Sequence, residues 1–260
     1  MNAAQWRTAG ASVRGSSHEK ADLPCQDAHL WTVSPQGIVI AWIADGAGSA
    51  PLADVGARTA VCAAVDAVCH GLDLIDWRPS ASPPDDQCLQ GLLVGALGAA
   101  RQAIDAEATA RSLASRDFAS TLILVVASGD FVCAAQVGDG AVVAADREGR
   151  VFSVTSPAHG EYLNETVFLT SQGGVAAAQP IVWRGRLAHL AVFSDGLQMV
   201  ALRMPSGEAH EGFFSPLFDF LHTHEDEVEA QAALASFLAS PRLRGRTDDD
   251  VTLFLATRMP

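Results

Sequence analysis

Hydrophobic positions along this chain change period twice, and the changes outline the fold before any single residue is considered. Short apolar or alternating stretches at 5–13, 28–33 and 38–44 predict strands. From 54 to 69, and again from 88 to 113, apolar residues fall at helical spacing with many alanines, which predicts two long helices. Between them lies DWRPSASPPDD (76–86), a proline-rich polar break that reads as a flexible loop, too short for a domain linker. Strand patterning returns at 120–127, 130–137, 141–146 and 151–154, with Ser-Gly-Asp, Gly-Asp-Gly and Arg-Glu-Gly at the turns, an order that predicts an antiparallel meander. The polar stretch 155–174 reads as a surface flap, 188–193 as a buried strand, 213–221 and 227–239 as helices, and 251–256 as a last strand.

This order is an α+β pattern in which each pair of helices needs a sheet to cover. Two central antiparallel β-sheets packed together with helices outside, a four-layer αββα sandwich, satisfy that requirement as a single domain over residues 1–260. A hydrophobic content of 49% supplies the core. Net charge of −13 argues against nucleic acid as a partner, because a phosphate backbone needs a basic surface. The same acidity suits a cation site, although solubility alone would explain it. Five scattered cysteines, an odd number, favour buried free thiols in a reducing compartment. Cys62 and Cys69 stand seven apart and are expected to share the core face of their helix. The first ten residues lack a signal-peptide core, and the apolar stretch 89–100 is too short to span a bilayer, so the expectation is a cytoplasmic protein with no membrane partner.

Candidate chemistry gathers where apolar strands meet acids. The segment IVIAWIADGAGSA (38–50) ends a doubly buried strand at Asp45, where an isolated carboxylate would be very costly. Asp-Gly also makes hairpin turns, but no second strand follows here. Asp139 follows VCAAQVG, Asp195 follows LAVFS, and Asp249 precedes VTLFLA. A plain turn remains an equal reading for Asp139-Gly140 and an open one for Asp195-Gly196, and 248–250 could be a solvated acidic loop. Carboxylates from several strand ends that converge would repel one another unless divalent cations neutralised them. Oxygen-only ligands favour Mg²⁺ or Mn²⁺.

Taken together, PCQDA (24–28), ADGAG (44–48), FASTL (118–122), VGDG (137–140), FSDGL (193–197) and DDVTL (249–253) resemble the metal-dependent type 2C Ser/Thr protein phosphatases, in that family's order and over nearly the whole length. The short form is similar to a bacterial subgroup whose members often occur beside a von Willebrand A-type protein and a protein kinase. The resemblance implies a phosphorylated protein substrate, with a cognate kinase as a candidate. It further implies that Asp45 bridges two metals, with the Gly46 carbonyl on one of them, and that Asp195 and Asp249 hold the other. Asp139 with Asp195 matches a weaker third site, and Asp27 would orient the attacking water. The chemistry implied is hydrolysis of a phosphomonoester without a covalent intermediate, through water activated by two ions.

Three positions depart from that pattern. Gln26 stands where the family often has Glu, Asp22 where an Arg typically binds the substrate phosphate, and Ala47 where some members carry a His. Arg14, His18 or Lys20 are the candidate replacements for the phosphate contact. These departures motivate a rival reading, a weakly active or inactive phosphatase-fold protein that binds phosphoproteins or scaffolds a complex. Hydrolysis of a small phosphate metabolite is a third. Cys25, beside Asp27, has no identifiable base and reads as packing.

Overall fold

The computed structural model describes residues 6–75, 83–157 and 166–259. The chain opens with β1 (Trp6–Val13), a short helix α1 (Ser16–Ala21), β2 (Ala28–Val33) and β3 (Val39–Ala44), then the long helices α2 (Ala53–Ile75) and α3 (Asp86–Ala110). Next come β4 (Leu122–Ala127), β5 (Phe131–Val137), β6 (Ala141–Asp146), β7 (Val151–Ser153), α4 (Gly174–Ala177), β8 (Ile181–Arg184) and β9 (Leu187–Phe193). The remainder is α5 (Gln198–Ala201), the two-residue strands β10 (Leu202–Arg203) and β11 (Glu208–Ala209), α6 (Glu211–Thr223), α7 (Glu227–Leu238), α8 (Pro241–Arg244) and β12 (Val251–Arg258).

Ten strands form two five-stranded sheets, ordered β1-β12-β9-β6-β7 and β2-β3-β4-β5-β8. Every pairing is antiparallel. The inner faces meet through Ile43, Val125, Val132, Val142, Val192 and Phe254. The outer face of the second sheet packs Trp42, Leu122 and Cys133 against Val61, Leu93 and Leu97 of α2 and α3. On the first sheet, Phe193 and Leu253 pack against Phe214, Leu217 and Leu234 of α6 and α7. The expected αββα layering is therefore present. Because β3, β4, β5 and β6 are covered on both faces, they read as continuous apolar runs rather than alternation. Burial of each such Val, Leu or Ile side chain contributes about 1.5–3 kcal/mol.

Several expectations need correction. The stretch 120–154 is no simple meander: β5 and β6 lie in different sheets, so the turn at 138–140 crosses the sandwich. Cys62 is exposed, because the inner face of α2 is Ala57, Ala60, Val61, Ala64 and Val68, one helical step away. α3 begins two residues early, where the Asp85 side chain accepts a hydrogen bond from the Cys88 amide at 2.7 Å and caps the helix. α1 and β8 fall where no element was expected. By length and composition α2 could cross a bilayer, with a mean hydropathy of 1.2, but here its inner face lies on α3 and the second sheet. The expected loop at 76–86 and flap at 155–174 fall partly outside the described residues.

Candidate functional site

Strand register brings the predicted carboxylates together. Ala28 on β2 opposes Ala44 on β3, so one further step sets Asp27 opposite Asp45. Ala141 on β6 opposes Phe193 on β9, and two further steps set Asp139 opposite Asp195. The first pair belongs to one sheet and the second to the other, and the closed sandwich stacks them at a common edge. Asp45, Asp139 and Asp195 each offer an oxygen within 4.8 Å of the others.

Local bonding fixes each position. The Asp45 amide donates to Thr121 Oγ1 at 2.9 Å, and its carbonyl accepts from the Thr121 amide at 2.8 Å. Gly46 donates its amide to the Gln26 carbonyl at 3.2 Å, and a Cβ there would stand 2.8 Å from the backbone of Ala53, so only glycine fits. At Gly138, φ is +114°, the left-handed region that lets the chain cross between sheets just before Asp139. Asp139 accepts from Thr166 Oγ1 at 2.7 Å through Oδ2, and its backbone carbonyl accepts from Gln198 Nε2 at 2.6 Å. Asp195 opens the 3₁₀ turn Asp195–Leu197 straight after β9 and Ser194.

Asp27 lies behind this trio. Its Oδ2 accepts from Ser194 Oγ at 2.8 Å and from Thr252 Oγ1 at 2.6 Å. Burial outweighs those two hydroxyls and, with Asp250 and Asp195 nearby, lifts its pKa to about 7. Burial also raises Asp195, to about 6, with Asp139 and Asp249 adding repulsion. Asp45 is pushed well above the ordinary carboxylate range by burial first, then by Asp27 and Asp195. Asp249 is raised by desolvation and by its acidic neighbours Asp250 and Asp248. It stands outside the close trio but adds to the negative field at both Asp45 and Asp195.

This donor set fits hard divalent cations. Asp195 Oδ1 is buried with no hydrogen-bond partner among the described residues. Such an oxygen is costly unless something positive meets it. Oxygen ligands alone, with room for water, match Mg²⁺ or Mn²⁺ better than zinc.

The expected phosphate contacts separate. His18 is buried on α1, with Nδ1 2.9 Å from Asp250 Oδ2. Arg14 is exposed and donates to the Leu23 carbonyl at 3.1 Å. Lys20 is exposed on α1. Asp22 closes α1 in a left-handed conformation, φ 54°, a structural place for the residue at the family's Arg position. Cys25 is no nucleophile, since burial and the nearby Asp27 push its thiol far up.

Sequence reasoning missed Ser194, Thr252 and Asp250. Asp250 is 2% exposed and accepts the Gly15 and Gln26 amides, each at 2.6 Å. Ser194 and Thr252 were inside quoted motifs, FSDGL and DDVTL, but hydroxyls next to apolar residues carry no signal until a buried acceptor is placed beside them.

A two-sheet sandwich that presents clustered carboxylates at one edge offers the oxygen donors that a metal-dependent hydrolase needs. Protein phosphatase 2C is the family whose model matches, over residues 14–239, and the chain belongs to that family as a metal-dependent protein phosphatase. It is 36% identical over 257 residues to Serine/threonine-protein phosphatase 3 of Escherichia coli (strain K12), across 96% of this chain and 98% of that one. Among solved structures it resembles the catalytic domain of serine threonine protein phosphatase PstP in complex with two manganese ions, with a TM-score of 0.61, 20% identity, and coverage of 98% of this chain and 99% of that one. Serine/threonine phosphatase Stp1 from Staphylococcus aureus superposes with a TM-score of 0.64 at 14% identity, over 98% and 96% of the two chains.

Proposed function

We propose that the chain, acting as one unit over residues 1–260, hydrolyses phosphoserine and phosphothreonine in a protein partner with the help of two divalent cations, Mn²⁺ or Mg²⁺. Asp45 and the Gly46 carbonyl would hold one ion, Asp45 with Asp195 and Asp249 the other, and Asp139 with Asp195 a weaker third. The observation that carries this reading is the trio of carboxylates with oxygens within 4.8 Å of one another, together with the buried Asp195 Oδ1 that has no hydrogen-bond partner among the described residues. Cations bound there supply acidification of water and neutralisation of phosphoryl oxygens.

The chain's own residues do the positioning. Both hydroxyl donors to Asp27 use Oδ2, which would leave Oδ1 to accept a hydrogen bond from the attacking water and orient it. Arg14 is the candidate contact for the substrate phosphate: it precedes Gly15, which register sets opposite Asp249, and its guanidinium reaches solvent. His18 is engaged with Asp250, and Lys20 is a less constrained alternative on α1. Arg14→Ala should raise KM for a phosphopeptide roughly tenfold with kcat little changed. A cognate Ser/Thr kinase and a von Willebrand A-type protein are the partners proposed, and co-purification with either tests that part.

The decisive experiment is turnover of a phosphothreonine peptide and of p-nitrophenyl phosphate with Mn²⁺, with chelator, and in Asp45→Asn. Loss in both of the last two supports the proposal. Undiminished turnover in chelator overturns it. Gln26 and Asp22 favour a second reading, a phosphoprotein-binding scaffold, and calorimetry that finds no Mn²⁺ uptake would select it.

A further inference from the structure

A groove of about 690 Å³ opens between α5, α6, α7 and α8, and none of the edge carboxylates lines it. Its floor is apolar, built from Phe213, Leu217, Phe220, Leu234 and Phe237. On the rim, Met199 is 72% exposed, a flexible apolar side chain left in water at the mouth of an apolar concavity.

Three observations narrow what this surface fits. The lining comes from helices and their caps, with no strand edge among them, and α6 carries Pro216, which has no N–H. An extended peptide would find almost no backbone partners there, whereas a helix satisfies its own. Charge is the second. Arg242 and Arg246 border the groove, both exposed and without an ion pair among the described residues, while Arg244 between them is tied to Glu19 at 2.8 Å. On a chain of net charge −13 this is a local positive rim, complementary to acidic side chains. Connection is the third. Met199 and Val200 line the groove from α5, which follows the Asp195 turn directly, and the neighbouring Gln198 holds the Asp139 carbonyl at 2.6 Å. The far end of the segment is closed by the His210 amide donating to the Ala201 carbonyl at 2.8 Å.

We propose that this groove docks an amphipathic helix of a partner protein, with apolar anchors at i, i+3 or i+4, and i+7, and acidic residues set against Arg242 and Arg246. Occupancy bears on α5 and thereby on how Asp139 and Asp195 are held. Docking does not rest on the phosphatase reading, because it is measured without turnover.

The test uses the full chain and fluorescein-labelled synthetic helices of about 18 residues, five turns. One carries Leu anchors and flanking Glu, a second replaces Glu by Lys, and a third replaces the anchors by Ser. Anisotropy should give micromolar binding of the first, about −8 kcal/mol, with the second at least roughly tenfold weaker and the third not binding. Met199→Glu and the double variant Arg242→Glu/Arg246→Glu should each weaken the acidic helix at least about tenfold, with melting temperature and unliganded p-nitrophenyl phosphate turnover unchanged. The double variant should regain affinity for the Lys helix. Saturating acidic helix should change Mn²⁺ affinity or kcat at least about twofold. Equal binding of acidic and basic helices, wild-type affinity in the variants, or no binding up to about 200 µM overturns the docking proposal. Oleate binding in place of the helix assigns the groove to a lipid and overturns it as well. Docking without any effect on metal affinity or turnover overturns the link through α5.

Discussion

Asp250 and the pair Asp45 and Asp195 lie at the same edge of the sandwich, and the fold treats them in opposite ways. Asp250 accepts two backbone amides at 2.6 Å, and the His18 ring nitrogen lies 2.9 Å from its Oδ2. It ties the start of β12 to the segment 15–26, a structural knot. Asp45 and Asp195 face one another and further carboxylates instead, and Asp195 Oδ1 has no hydrogen-bond partner among the described residues. Burial is common to both. What separates a structural carboxylate from one available to a cation is the supply of N–H groups.

Breaking either side should therefore give opposite phenotypes. Asp45→Asn removes a charge from a repelling group, so kcat should fall roughly 10³-fold or more while the metal-free protein melts no lower than wild type. Turnover and thermal melts read these two quantities. Asp250→Ala strands two buried amides, and urea unfolding should show a loss of about 3 kcal/mol, with residual activity at low temperature. Equal destabilisation in both variants would erase the distinction.

Thr252→Val sharpens it at finer scale. One of two hydroxyls leaves Asp27, and kcat should drop about tenfold with KM unchanged and stability altered by about 1 kcal/mol. A separate test is the pH dependence of the metal-free fold. Asp27 titrates near 7 and Asp195 near 6 in the folded chain, against 3.8 as the ordinary value, so the folded state holds more protons than the unfolded one across that interval. The carboxyls therefore destabilise the fold as pH rises from about 4 to 7. Melting temperature in chelator should fall over that window through these groups, and Mn²⁺ should reverse the fall, more strongly at the higher pH. A Mn²⁺ gain that is largest at pH 4 would contradict the assignment.

How much of this was legible beforehand depended on whether the signal was local. Helices α2 and α3 and the buried strands β3 to β6 were visible, because burial on both faces leaves an unbroken apolar run. Asp45, Asp139 and Asp195 were visible as acids abutting such runs. Invisible was the crossing at Gly138, since a Gly-Asp-Gly turn spells a hairpin equally well. β8 was also missed, because an edge strand with exposed Ile181 and Arg184 carries little pattern. The separate fates of Asp249 and Asp250 could not be told apart within DDD, because only the amides of Gly15 and Gln26, more than 200 positions away in the chain, decide between them.

The crossing at Gly138 deals the acids out to opposite halves of the sandwich, with Asp27 and Asp45 on one and Asp195 on the other. Asp27 further waits for Thr252, which arrives on the final strand. The cluster is thus built from segments far apart in the chain, so none of them holds it alone. Its geometry depends on β12 lying between β1 and β9, which carries Thr252 to Asp27.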